Sequence, residues 1–110
     1  MRILLAVSPG GLLRGFQAEG HAGTALKGRN IACAAATALL RTTGQLCAEH
    51  AIVREGSAEK PGQMRLVLSP GAEAETGWLK GVTDFLLRGM KELQDEFPRE
   101  IVVRMETTEV

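Results

Sequence analysis

Tyrosine is absent from this 110-residue chain, and all aromatic side chains together make up only 4% of it. Proteins that grip single-stranded nucleic acid usually do so with aromatic platforms and clustered basic residues. Here 13 basic residues balance 13 acidic ones, so the formal net charge is zero. Scarce aromatic residues and balanced charge together predict no direct nucleic-acid partner.

Cysteine is also scarce, with Cys33 and Cys47 the two examples. On one helix they would lie about 21 Å apart, whereas a disulfide needs Cα atoms within roughly 7 Å. Two cysteines and two histidines lack the spacing of a zinc site, and we expect no metal and no cofactor. No apolar run approaches the roughly 20 residues of a membrane span, and no signal peptide is recognisable. These features predict a cytoplasmic protein that has no membrane segment.

The composition that remains is that of an ordinary globular protein. Hydrophobic residues make up 45% of the chain and charged residues 24%. A chain of this length builds one hydrophobic core and not two, so residues 1–110 are predicted to form a single domain.

Hydrophobic periodicity predicts the element order β-β-α-β-β-α-β. The first helix is expected from Ile31 to about Glu49, and the second is expected to end before Pro98. The core face of each helix is predicted as a stripe at helical spacing: Ile31, Ala35, Ala38, Leu39, Thr42 and Leu46 in the first helix; Trp78, Val82, Phe85, Leu86, Met90, Leu93 and Phe97 in the second. The predicted fold class is α+β, a two-layer sandwich with both helices on one face of a mostly antiparallel sheet.

The chemistry is concentrated between residues 20 and 37, where a glycine-punctuated loop leads into the first helix. Asn30 is a good N-cap, which makes Ile31 the first helical residue and Cys33 the third. Unpaired N–H groups and the helix dipole favour a thiolate there, and His21 is a candidate base. Two plainer interpretations stay open: the cysteine is a small buried hydrophobe, and the histidine is a solvated loop residue.

The segments Gly20-His21-Ala22-Gly23 and Gly28-Arg29-Asn30-Ile31-Ala32-Cys33-Ala34-Ala35-Ala36-Thr37 resemble the signature of the ribosomal-processing cysteine proteases, the Prp family. Chain length and element order extend the resemblance over nearly the whole chain. The family usually has aspartate at the position of Asn30 and serine at the position of Thr37. Asn30 keeps a capping side chain but loses a negative charge, and Thr37 keeps a hydroxyl.

The resemblance implies a cysteine endopeptidase with His21 and Cys33 as a catalytic dyad. Its substrate would be the N-terminal extension of a bacterial large-subunit ribosomal protein, number twenty-seven, and the enzyme would be a homodimer. The neighbouring motif residues are then expected to bind the substrate peptide: Gly20, Ala22, Gly23, Gly28, Asn30 and Thr37. The alternative is a non-catalytic ribosome-assembly factor that grips a peptide in the same cleft. A thiol redox domain is disfavoured because the chain has no Cys-X-X-Cys pair.

Overall fold

The structure, a computed structural model, describes residues 1–20, 31–57 and 63–108. This part of the chain forms five strands and two α-helices, and a 3-10 helix (Pro70–Glu75) precedes the second α-helix. In chain order they are β1 (Arg2–Val7), β2 (Leu13–Glu19), α1 (Ile31–Glu49), β3 (Val53–Ser57), β4 (Gln63–Leu68), α2 (Thr76–Glu96) and β5 (Val102–Thr107). The predicted α+β fold and its element order are confirmed.

The strands form one sheet in the order β3-β4-β2-β1-β5. Three of the four strand pairs are antiparallel, whereas β5 runs parallel to β1. Arg2 is therefore flanked by Glu19 on one side and by Val102 on the other. The first and last strands of the described chain lie side by side.

The two faces of the sheet differ in polarity because side chains alternate along each strand. Ile3, Leu5 and Phe16 are buried beneath the helices. The opposite face carries Arg2 and Gln17, and no element of the described chain covers it. The first strand therefore alternates in burial, with Leu4 and Ala6 only half-buried.

The bounds of α1 agree with the prediction, but its predicted core face is wrong. The buried residues are Ala32, Ala36, Leu40, Thr43 and Cys47, whereas Ile31, Ala38 and Thr42 are exposed. The helix is so rich in alanine that two neighbouring stripes have similar apolar character, and periodicity alone cannot separate them. The true stripe places Cys33 at its edge and not on the outer surface.

The core face of α2 is predicted only in part. Leu86 and Met90 are fully buried as expected, but Phe85 is 69% exposed. The helix is also held by a polar contact, since the backbone N–H of Leu13 donates to Thr83 Oγ1 at 3.0 Å. Both groups are buried, so this hydrogen bond ties α2 to the start of β2.

Two local features shape the sheet. A Cβ at Gly15 would overlap the carbonyl oxygen of Leu66 on β4, so only glycine allows these strands to approach so closely. At the outer edge of β5, the N–H of Val103 donates to Gln94 Oε1 at 2.6 Å. The Gln94 side chain thereby covers one backbone group of an otherwise open strand edge.

Candidate active site

Cys33 is the third residue of α1 and is half-buried. It packs against the hydrophobic core, next to the buried Ala32 and one turn before Thr37. The backbone N–H groups in the first turn of an α-helix have no intrahelical acceptor, and they favour negative charge nearby. This position therefore combines partial solvent access with the positive end of the helix dipole.

Cys47 has the opposite character. Its side chain is fully buried, and desolvation raises its pKa from 9.0 to about 11. A thiol that is protonated and enclosed cannot act as a nucleophile at neutral pH. Cys47 is therefore a core residue and not a second candidate nucleophile.

Of the other predicted site residues, Gly20 and Thr37 belong to the described chain. Gly20 directly follows β2 and has a φ of +85°, a left-handed conformation that favours glycine. The residue before it, Glu19, forms an ion pair with Arg2 at 2.9 Å. Thr37 is half-buried on α1, one turn beyond Cys33. The predicted site residues His21, Ala22, Gly23, Gly28 and Asn30 lie outside the described residues.

A groove of about 430 Å³ lies between the second half of α1 and the strands β3 and β4. We call it the α1–β3 groove. Its lining is mainly apolar and includes Phe16, Leu40, Met64 and Leu66, with Gly44 and Gly56 on its two walls. It is a candidate binding surface on the helical side of the sheet.

A second depression, of about 490 Å³, lies on the open face of the sheet. Its lining is mostly polar and includes Arg2, Gln17 and Arg104. The sheet separates it from the helical layer that carries Cys33, so it cannot form one site with that thiol.

The described part of the chain is also informative about metals and membranes. Within it, no group of three or more His, Cys, Asp or Glu side chains is arranged to hold a metal ion. Neither α1 nor α2 combines the length and apolar character that a membrane-spanning helix needs.

The family model of the cysteine protease Prp matches residues 2–102 of this chain. The match includes β2, the start of α1 with Cys33, and both walls of the α1–β3 groove. The chain belongs to the Prp family of cysteine proteases. The resemblance seen in the His-to-Cys segment is thereby confirmed at the level of the family. No curated protein matches the chain significantly.

Several solved structures share the fold over nearly the full length of this chain. The ribosomal processing protease Prp from S. aureus, in complex with a covalently linked product peptide, has a TM-score of 0.75 and 17% identity. That match covers 96% of this chain and 98% of the other. SMU.848 from Streptococcus mutans has a TM-score of 0.77 and 22% identity, covering 97% and 94%. A further S. aureus Prp structure, in complex with a substrate peptide, has a TM-score of 0.74 and 16% identity, covering 96% and 98%.

The α1–β3 groove is a surface that motif analysis missed. The only signals in the sequence are two glycines, Gly44 within a helix and Gly56 within a strand, where glycine weakens either element. They belong to one surface only after β3 has paired with β4 and α1 has packed across the sheet.

Proposed function

We propose that this chain is a ribosomal-processing endopeptidase that removes the short N-terminal extension of bacterial large-subunit ribosomal protein twenty-seven. Membership of the Prp family supports the reaction class. The observation that carries the proposal is the position of Cys33, half-buried in the first turn of α1. The S. aureus relative is described with a covalently linked product peptide, which agrees with nucleophilic catalysis by a cysteine.

In the proposed mechanism, His21 accepts the proton of the Cys33 thiol, and Sγ attacks the scissile carbonyl carbon. Backbone N–H groups at the start of α1 are oriented to stabilise the resulting oxyanion. As the C–N bond breaks, the leaving amine takes the proton from His21, and a thioester to Cys33 remains. Water, deprotonated by His21, then attacks the thioester, and the proton returns to the departing sulfur. Gly20 and Thr37 are proposed to contact the peptide, as are Ala22, Gly23, Gly28 and Asn30.

The decisive experiment compares purified variants on a synthetic peptide that spans the extension and its cleavage site. We expect Cys33→Ala to abolish cleavage and His21→Ala to lower kcat by 100-fold or more, because each removes a member of the dyad. Mass spectrometry of the products measures both. The matched control is Cys47→Ala, which removes the buried thiol and is expected to keep kcat in the protein that remains folded.

Cleavage by Cys33→Ala at the wild-type rate would refute the proposal. The alternative, a peptide-binding assembly factor, predicts a different result: the wild-type protein binds the peptide but leaves it uncut.

We further propose that the protein works in the cytoplasm as a homodimer. The exposed Phe85 on α2 and Leu46 on α1 support self-association, because large apolar side chains on a helical surface often mark protein contacts. The zero net charge and the few aromatic residues support a peptide partner over a nucleic acid.

A further inference from the structure

The side of α1 on which Cys33 lies can be deduced from helix geometry. Successive residues turn by about 100°, so positions 33, 37, 40, 44 and 48 follow one another along a single stripe. Leu40, Gly44 and Ala48 of this stripe line the α1–β3 groove. Cys33 and the groove therefore lie on the same side of the helix, one beyond the other along its axis.

The opposite side of α1 is occupied by α2. A Cβ added to Gly89 would come within 2.9 Å of Leu39 Cδ1, and His50 stacks on Trp78 with ring centroids 3.7 Å apart. These two contacts fix α2 on the flank of α1 that faces away from the groove. Among the described residues, α2 thus occupies one flank of α1, whereas the apolar groove on the other flank stays open to a peptide that reaches Cys33.

The distance between Cys33 and the groove along α1 determines which substrate residue can reach the groove. Leu40 and Gly44 follow Cys33 by about 10 and 17 Å at the helical rise of 1.5 Å per residue. An extended peptide advances about 3.3 Å per residue, so this span equals roughly three to five peptide residues. A substrate side chain bound in the groove therefore belongs to a residue three to five positions from the bond that Cys33 attacks.

The side chains that line the groove determine which kind of substrate side chain it binds. Its base is formed by the buried Phe16, Leu40 and Leu66. Arg41 and Arg65 lie at its rim, and Glu55 lies 3.8 Å from Arg65. An apolar side chain gains free energy by leaving water here, whereas a lysine would meet the net positive charge that Arg41 and Arg65 retain beside Glu55.

We propose that the α1–β3 groove is a remote specificity subsite, which binds an apolar side chain of the substrate three to five residues from the scissile bond. This inference rests on the proposed protease function. Gly44 and Gly56 determine the specificity because the absence of side chains at these positions keeps the groove open. A Cβ at Gly44 meets no atom within 4 Å, and one at Gly56 meets only Val53 and Leu66 at ordinary contact distance.

The test fills the groove from each wall in turn, with Gly44→Leu and Gly56→Val. The matched control is Thr42→Leu, which adds a similar side chain to the opposite, exposed face of α1. Two peptides are compared: the ribosomal-protein peptide, and the same peptide with serine in place of the apolar residues three to five positions from the cleaved bond on both sides.

We expect Gly44→Leu and Gly56→Val each to lower kcat/KM on the first peptide by about tenfold or more, the scale of losing a few methylene contacts in a pocket. On the serine peptide, which the wild type already cuts slowly, the same variants should change kcat/KM by less than twofold. Thr42→Leu should change neither value, and the alkylation rate of Cys33 by iodoacetamide should be unchanged in all three.

A parallel measurement separates the subsite from the chemistry. In a Cys33→Ala background, fluorescence anisotropy of the labelled first peptide reports binding without cleavage, and both groove variants should weaken it about tenfold. Unchanged binding, or an equal loss on both peptides, would overturn the subsite while leaving Cys33-dependent cleavage intact. If the wild type cut neither peptide but the groove variants still weakened binding of the first peptide selectively, the protease proposal would fail and the apolar site would stand.

Discussion

Burial makes Cys47 a much weaker acid than an ordinary thiol. Its pKa rises from 9.0 to about 11 because the thiolate would lose its hydration inside the core. The unfolded chain therefore releases this proton at a lower pH than the folded protein does. The resulting stability is fully present below pH 9 and is lost as the pH rises through the folded-state value of about 11.

We predict that the free energy of unfolding falls by about 2 kcal/mol between pH 9 and pH 11 through Cys47 alone. Urea denaturation at several pH values measures it, and tyrosine, which is absent from the chain, adds no titration in this range. Cys47→Ala should flatten the pH dependence, although its cavity lowers stability at every pH. An identical slope in the wild type and in Cys47→Ala would contradict the assignment.

At the scale of elements, the contact between α2 and β2 depends on one hydroxyl group. Thr83 is fully buried and accepts the hydrogen bond from the Leu13 N–H at 3.0 Å. Without this acceptor, a backbone donor would be left unpaired inside the protein, which costs more than the hydrogen bond itself contributes.

We predict that Thr83→Val destabilises the protein by about 1–3 kcal/mol, because valine keeps the shape of threonine but cannot accept the hydrogen bond. Thr83→Ser is the matched control, since it keeps the hydroxyl and loses one methyl group, at a cost of about 0.8 kcal/mol. Chemical denaturation ranks the two variants. If valine were the better tolerated of the two, α2 would be held by apolar packing alone.

The elements also show where sequence reasoning succeeds. The ends of α1 and the order of helices and strands follow from local signals, namely capping, turn residues and alternation. The buried face of α1 could not be predicted, because alanines are distributed around the helix and make more than one face apolar. The prediction of Phe85 as a core residue is wrong because its apolar character indicates burial, whereas its position on α2 faces outward.

Contacts between distant parts of the chain set a further limit on prediction. No local pattern indicates that β5 adds in parallel to β1, because the pairing depends on the path of the whole chain. The α1–β3 groove escapes prediction for the same reason: its two glycines lie on different elements. By contrast, the placement of Cys33 in the first turn of α1 is predicted from its neighbours in sequence alone.

At the scale of the whole molecule, the helical layer exposes apolar side chains that do not pack against the sheet. Phe85 is the largest of them, and 69% of its surface is open to solvent. In a twofold dimer each contact residue acts twice, so a single substitution removes two buried side chains.

We predict that the wild-type protein sediments as a dimer at micromolar concentration and that Phe85→Ser raises its dimer dissociation constant more than tenfold. Each buried phenylalanine is worth about 1.5–3 kcal/mol, and two are lost per dimer. Sedimentation velocity measures both states, with Met105→Ser on β5, also exposed, as the matched control. Wild-type protein that remains monomeric, or a Phe85→Ser variant that dimerises as well as wild type, would exclude this surface.

The parallel pairing of β5 with β1 has a consequence for how the protein is made. β1 leaves the ribosome first, yet the strand that completes one of its two sides is translated only after α2. From the translation of β1 to that of β5, the nascent chain therefore carries a hydrophobic strand with an unprotected flank, and that flank closes only once translation has passed β5. A protein proposed to mature a component of the ribosome thus cannot complete its own sheet until its fifth strand has been translated.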